Sequence, residues 1–288
     1  MAGLALTCLG GASQALEVNA GDYEQFPVGA TIGILYYQYG KTSDSYADGH
    51  KVSGDAKLDS NVSIFRALHV FEIAPRLTVD PQFLLPVGKL STSGALDPLG
   101  SPGGIGDLIL ATAFKYKLNN ATEDVIAFTP YLIAPTGQYD SDRGLNLGAN
   151  RWQTVLQGAY VKHFDPKWSM DFVADVSFFS DNTSANVGGV KGRLEQDPQF
   201  ELLSYVRYKV DPTLELAAGL GHRFGGKQTF EDVSVANSKT ETTYGRLSVS
   251  YFFQPTWQIH AMAGRDLSVK NGLKQDAFLQ LRIAKIFP

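Results

Sequence analysis

The chain has 288 residues, 44% of them hydrophobic, and its 25 basic and 29 acidic side chains leave a formal charge of −4. The charges are scattered rather than gathered into a basic stripe, which argues against nucleic-acid binding. After residue 20 no stretch approaches the roughly 18 consecutive apolar residues of a membrane-spanning helix. A barrel escapes that last test: only alternate residues face lipid, so mean hydropathy, here −0.10, stays near that of a soluble protein.

In chain order, Met1 to Ala15 is small and apolar through Leu4, Ala5, Leu6, Leu9 and Ala12, then reaches Ser13-Gln14-Ala15 ahead of Leu16. It reads as the remnant of a secretory signal, although it lacks a basic first segment. No linker or composition shift divides the rest, so residues 16–288 are expected to form one domain. The single cysteine, Cys8, lies in the signal-like segment, which leaves the mature chain no thiol, disulfide or cysteine-based metal site.

Period-two alternation predicts twelve strands, at 30–39, 60–72, 75–88, 104–117, 125–135, 151–163, 168–180, 199–210, 214–224, 242–253, 257–269 and 276–287. The clearest is Trp168 to Phe178, where Trp168, Met170, Phe172, Ala174, Val176 and Phe178 interleave with Ser169, Asp171, Val173, Asp175 and Ser177. Successive side chains of a strand point to opposite faces, so one face is oily and the other carries two carboxylates. Connections alternate between tight turns such as Asp165-Pro166-Lys167, Asp211-Pro212-Thr213 and Gln254-Pro255-Thr256, and long polar segments at 40–57, 89–103, 136–150, 181–198 and 225–241. Together these features predict an all-β fold, an antiparallel up-and-down transmembrane barrel with short periplasmic turns and long outer loops. Aromatics beside the turns (Tyr116, Phe164, Trp168, Tyr208, Trp257) suit an interfacial belt.

The last strand places Ala277, Leu279, Leu281, Ile283 and Phe287 on one face and Gln280 and Arg282 on the other. It resembles the amphipathic strand, closing on Phe, with which bacterial outer-membrane proteins end and which the barrel-assembly machinery reads. Two features depart from that pattern: Lys285 on the lipid side, tolerable if it snorkels to the interface, and Pro288 after the Phe. A more specific resemblance rests on Pro81-Gln82-Phe83-Leu84-Leu85-Pro86-Val87-Gly88, on Gly103-Gly104-Ile105-Gly106-Asp107-Leu108 leading into Ala113-Phe114-Lys115-Tyr116, and on Pro130-Tyr131 with Pro135-Thr136-Gly137. These are similar to the outer-membrane family associated with the meta-pathway of phenol degradation. The resemblance implies a monomeric twelve-stranded barrel of the outer membrane that admits small hydrophobic or aromatic compounds.

Other motifs point to no chemistry. Gly103-Gly104-Ile105-Gly106-Asp107 precedes a strand and opens no helix, so it reads as a mobile loop rather than a nucleotide-binding turn. Asp140-Ser141-Asp142-Arg143-Gly144-Leu145-Asn146 alternates oxygen ligands but lacks the distal glutamate of a calcium loop and reads as a solvated outer loop. His69, His163, His222 and His260 show no ligand spacing, and no nucleophile elbow occurs. No catalytic residue, metal or cofactor is therefore assigned.

Opposition to the oily faces turns inward Asp80, Gln82, Asp107, Lys115, Arg151, Gln153, Asp171, Asp175, Glu201, Arg207, Glu215, Arg223, Arg246, His260, Asp266, Gln280 and Arg282. Phe65, Phe71, Leu84, Ile109, Leu203 and Tyr205 are further inward candidates, and Asp107 is expected to pair with a base on a neighbouring strand. Twelve strands lie between the filled eight-stranded barrel and the open sixteen-stranded porin. The sequence-level expectation is a channel for diffusion of small hydrophobic or aromatic solutes, surrounded by outer-membrane lipid and lipopolysaccharide. Alternatives are a lipid-acting barrel enzyme and a structural or adhesive barrel with a blocked lumen; whether Leu16 to Gly29 plugs the lumen is left open.

Overall fold

A strand crossing lipid leaves its backbone N–H and C=O groups unpaired unless the sheet closes on itself. The computed structural model, which describes residues 17–119 and 121–288, shows that closure; the signal-like segment lies outside the described residues. Twelve antiparallel strands run in chain order around one sheet: β1 (Thr31–Ala47), β2 (Ala56–His69), β3 (Leu77–Gly94), β4 (Leu108–Lys117), β5 (Val125–Ala134), β6 (Gln153–His163), β7 (Trp168–Phe179), β8 (Gln199–Lys209), β9 (Leu214–Gly225), β10 (Thr240–Gln254), β11 (Trp257–Val269) and β12 (Gly272–Phe287). Strand β12 returns to pair with β1, from Thr31 opposite Phe287 to Tyr46 opposite Gly272, which removes both sheet edges.

The alternation translates directly into two surfaces. Leu35, Phe83, Leu110, Phe128, Phe172, Leu202, Leu247 and Leu281 face outward as an apolar band, while the residues between them are covered. At the rim that carries the short turns, Trp168 lies against Tyr208, 4.6 Å between ring centroids, and Phe253 against Trp257 at 6.1 Å. Lys285 reaches this rim, donating to Thr256 Oγ1 at 2.7 Å with its ammonium 5.0 Å from the Trp257 ring. The turns are built by their aspartates. Asp165 Oδ1 accepts from the amides of Lys167 (2.7 Å) and Trp168 (2.8 Å), and Asp211 Oδ1 from those of Thr213 (2.7 Å) and Leu214 (3.0 Å). Those backbone donors hold the Asp165 carboxyl below the usual carboxylate range.

On the opposite side the strands outrun the sequence expectation. Much of 40–57 is paired strand: β1 continues to Ala47, His50–Ser53 folds back on it, and β2 starts at Ala56. Likewise β3 continues to Gly94. Above the lipid no oily face is required, so polar strand there looks like loop in sequence. The glycine-rich element is also ordered. Gly103–Ile105 pairs with Val87–Lys89, and Gly104, at φ 140°, sits where a Cβ would overlap the Gln138 side chain. Leu96, Leu145 and Leu147, from the loops after β3 and β5, pack on Ala56, Leu58 and Leu90 and cover part of the mouth. Further around, Asn182–Val187, Val190–Gln196, Gln228–Phe230 and Val233–Ser234 form a separate four-stranded sheet.

Two inward candidates are corrected. Phe65 and Phe71 are 48% and 50% exposed on the outer wall. Arg66 decides the parity of β2: it reaches inward to Gln82 and Tyr36, so Phe65 faces out, and Phe71, on the short strand Phe71–Ala74 that follows, is exposed on the same side.

Candidate functional site: the barrel lumen

Parity puts charged and amide side chains inside a low-dielectric wall, where each needs a partner. Many of those partners come from a segment with no strand pattern, residues 17–30. It is anchored to the wall near the turn-side rim, where the Gly29 amide donates to Val70 O (2.9 Å) and the Val70 amide to Ala30 O (3.0 Å), and it then runs up inside the barrel.

Three acids of this segment meet four arginines of the wall. Glu24 binds Arg207, whose Nε also bonds Asp171 Oδ1 at 3.0 Å and whose Nη1 lies 3.2 Å from Glu215. Asp22 receives Arg282 Nη1 at 2.7 Å, with Arg66 3.8 Å away. Glu17, furthest from the anchored rim, takes Arg246 Nε at 2.7 Å. Backbone contacts add to these. Lys115 Nζ, 3.2 Å from Asp80, donates to the carbonyls of Asp22 and Glu24 at 2.9 Å each, and the Gly21 amide donates to Asp171 Oδ2 at 2.9 Å. Tyr23 donates to Gln157, Gln280 to Asn19, and Tyr205 to Val18 O at 3.0 Å. Besides these polar contacts, Ala20 and Tyr23 pack among Val125, Ala127, Val161 and Leu203, and Phe26 packs against the cluster around Ile32 and Ile34.

Each inward residue named from the sequence alternation has a defined place. Arg207, Asp171 and Glu215 form the cluster with Glu24; Asp80 and Lys115 pair; Gln82 accepts from Arg66 at 2.7 Å. Arg223 bonds Glu201 at 2.9 Å, and Asp175, the cross-strand neighbour of Glu201, accepts from Gln157 at 3.0 Å. His260 is fully buried beside Arg282 across the β11–β12 pairing, and among the described residues neither of its ring nitrogens has a hydrogen-bond partner. Asp107 departs from expectation: it accepts the amides of Gly137 and Ala149 at 2.8 Å each, so it ties down the loop after β5. Leu84, Ile109, Leu203 and Tyr205 are buried inside. Alternation did not single out Arg66, Tyr36, Gln38, Tyr131 or Gln157, nor the segment's own Glu17, Asp22 and Glu24; strand parity was the available signal for the first five.

The space that remains is uneven. Around Asp22, Tyr23 and Arg66 it amounts to about 30 Å³, whereas the outer half of the lumen holds a cavity of about 210 Å³. Its lining includes Arg151, Arg223, Arg246, Asp266, Gln153 and Glu17, the last from the segment itself. The guanidiniums stack on rings: Arg246 lies 4.4 Å from the Tyr244 centroid and 4.7 Å from Phe278, and Arg151 lies 4.5 Å from Phe179. No group of three or more His, Cys, Asp or Glu that could hold a metal occurs among the described residues.

Comparisons with known proteins agree with this architecture. An outer membrane channel from Pseudomonas putida F1 is 47% identical, with TM-score 0.91 over 94% of this chain and 100% of that one. The β domain of the Bordetella autotransporter BrkA (10% identity, TM-score 0.57, 91% and 100% coverage) and the translocator domain of NalP from Neisseria meningitidis (10%, 0.53, 92% and 90%) share the barrel fold alone. No curated protein matches. The protein is a channel-type barrel of the bacterial outer membrane. Residues 42–283 match the family described as the MetA-pathway of phenol degradation, and the chain belongs to that family.

Proposed function

We propose that the protein carries small amphiphilic or aromatic compounds across the outer membrane by diffusion, and that residues 17–30 gate the path. The observation that carries this reading is the narrowing of the lumen at the segment: the outer cavity of about 210 Å³ reaches Glu17, and beyond it, around Asp22 and Tyr23, about 30 Å³ remains. The cavity combines what an amphiphile needs: apolar walls, stacked rings, and arginine and amide donors that orient a polar end. The lumen-lining residues named above are its path. Charges of both signs are paired within the wall, which favours weak ion selectivity. The surrounding partners are outer-membrane lipid and lipopolysaccharide, and the β12 strand ending in Phe287 is the element offered to the assembly machinery of a monomeric barrel.

The filled inner lumen favours one other reading, a structural barrel whose lumen stays blocked. Solute flux into proteoliposomes over a panel of phenols, aromatic acids and sugars separates the two. The channel reading expects faster uptake of single-ring amphiphiles than in empty liposomes; a panel that crosses no faster than through bare lipid, even with the inner segment removed, refutes it.

A further inference from the structure

The outer cavity brings together two unlike surfaces. On the β9–β10 side it carries Arg223 and Arg246, with Arg246 stacked on Tyr244 and Phe278. On the side of β2, β3 and β12 it carries Leu58, Leu90 and Leu273. At their junction the inner segment contributes one carboxylate, Glu17. Its Oε1 lies 2.7 Å from Arg246 Nε and its Oε2 3.5 Å from Nη2, a two-pronged contact between side chains 7% and 4% exposed. The other acid of the cavity, Asp266, is engaged by the Gln275 amide at 2.7 Å.

A guanidinium buried on two rings accepts any planar carboxylate that reaches it with the same geometry. A carboxylate arriving from the outer mouth meets Arg246 from the cavity side while its hydrocarbon part rests on the leucines. The space suits one ring, since an apolar cavity of about 150 Å³ takes up benzene and this one measures about 210 Å³. We propose that the outer cavity is a binding site for a small organic carboxylate, best fitted by a single-ring aromatic acid, and that the bound carboxylate replaces Glu17 on Arg246 and so frees the outer end of the inner segment, biasing the gate toward opening. The ligand and Glu17 compete for one guanidinium, so the ligand binds the released state better and shifts the equilibrium toward it. This rests on the gated-channel reading and deepens it: the solute is also the signal for opening.

Benzoate and its neutral isostere benzamide are the probes, applied to the intact protein, to Glu17→Gln, to Arg246→Gln and to a deletion of residues 17–26, each confirmed as folded by heat-shifted gel mobility. In phosphatidylcholine bilayers, benzoate should raise the open-to-closed ratio of the intact channel saturably, by roughly 5- to 150-fold as for typical coupled sites, and benzamide should not. Glu17→Gln should open more often than the intact protein without benzoate and lose the response. Calorimetry judges the site by itself: benzoate should bind Glu17→Gln more tightly than the intact protein and Arg246→Gln least. Equal benzoate binding by Arg246→Gln, or equal effects of benzoate and benzamide on a protein whose deletion variant conducts, would overturn the inference while leaving the gated channel intact. A folded deletion variant that does not conduct removes the gated channel itself and the proposed opening signal with it.

Discussion

Arg207 is the residue on which the turn-side half of the lumen depends. It is 2% exposed and faces the carboxylates of Asp171, Glu215 and Glu24. Removing one member of a buried ion cluster leaves uncompensated charge and costs about 3–5 kcal/mol. Arg207→Met should therefore lower stability in urea titration by that order, and should cost less once residues 17–26 are also deleted, because Glu24 is then gone. A loss unchanged by the deletion would mean that Glu24 does not share this guanidinium. Facing makes a second prediction. Phe172 points to lipid, where an arginine at mid-depth costs about 2–4 kcal/mol, while Gln153 lines the aqueous cavity. Phe172→Arg should destabilise the barrel well beyond Gln153→Arg, and equal losses would contradict the facing. At this scale charge was the legible signal: Asp171 beside Phe172 declares which side is which. Aromatics declare nothing, because they suit lipid and lumen alike: Phe65 and Phe71 are inward candidates by sequence and lie on the outer wall.

Among the elements, β12 does most for closure, pairing with β11 on one side and β1 on the other. Deleting Gln280–Pro288 exposes two sheet edges to lipid and should abolish folded protein in the outer membrane; normal heat-shifted mobility of that truncation would contradict the closure. At the mouth, residues 95–102 bring Leu96 onto Leu145 and Leu147. Excising them should raise the flux of bulky solutes more than that of small ones, and a size-independent change would show that this loop sets no size limit. Strand number and order were readable because lipid demands an unbroken oily alternation. The outer extensions of β1 and β3 were not, since above the lipid their faces are free to be polar. The expected strand 104–117 divides into an ordered Gly103–Ile105 and β4, a break not legible in the alternation: Gly104 packs against Gln138 and Gly106 against Pro86, contacts that a local pattern does not encode.

At the scale of the whole molecule, a barrel wall specified by local alternation is filled by a segment specified only by distant partners. Glu17 and Asp22 belong to no alternating strand in the sequence, yet they meet Arg246 and Arg282, 229 and 260 residues away. No periodicity announces such a match, which is why the candidate wall was legible in advance and the closure of the path was not. The proposed gate is this segment, closing a conducting barrel. It is tested most directly by the single-channel conductance of the intact protein against that of the variant lacking residues 17–26, both folded and reconstituted in the same bilayer. Rare, small openings are expected for the intact protein and a stable, several-fold larger conductance for the deletion; equal conductance of the two would rule the gate out.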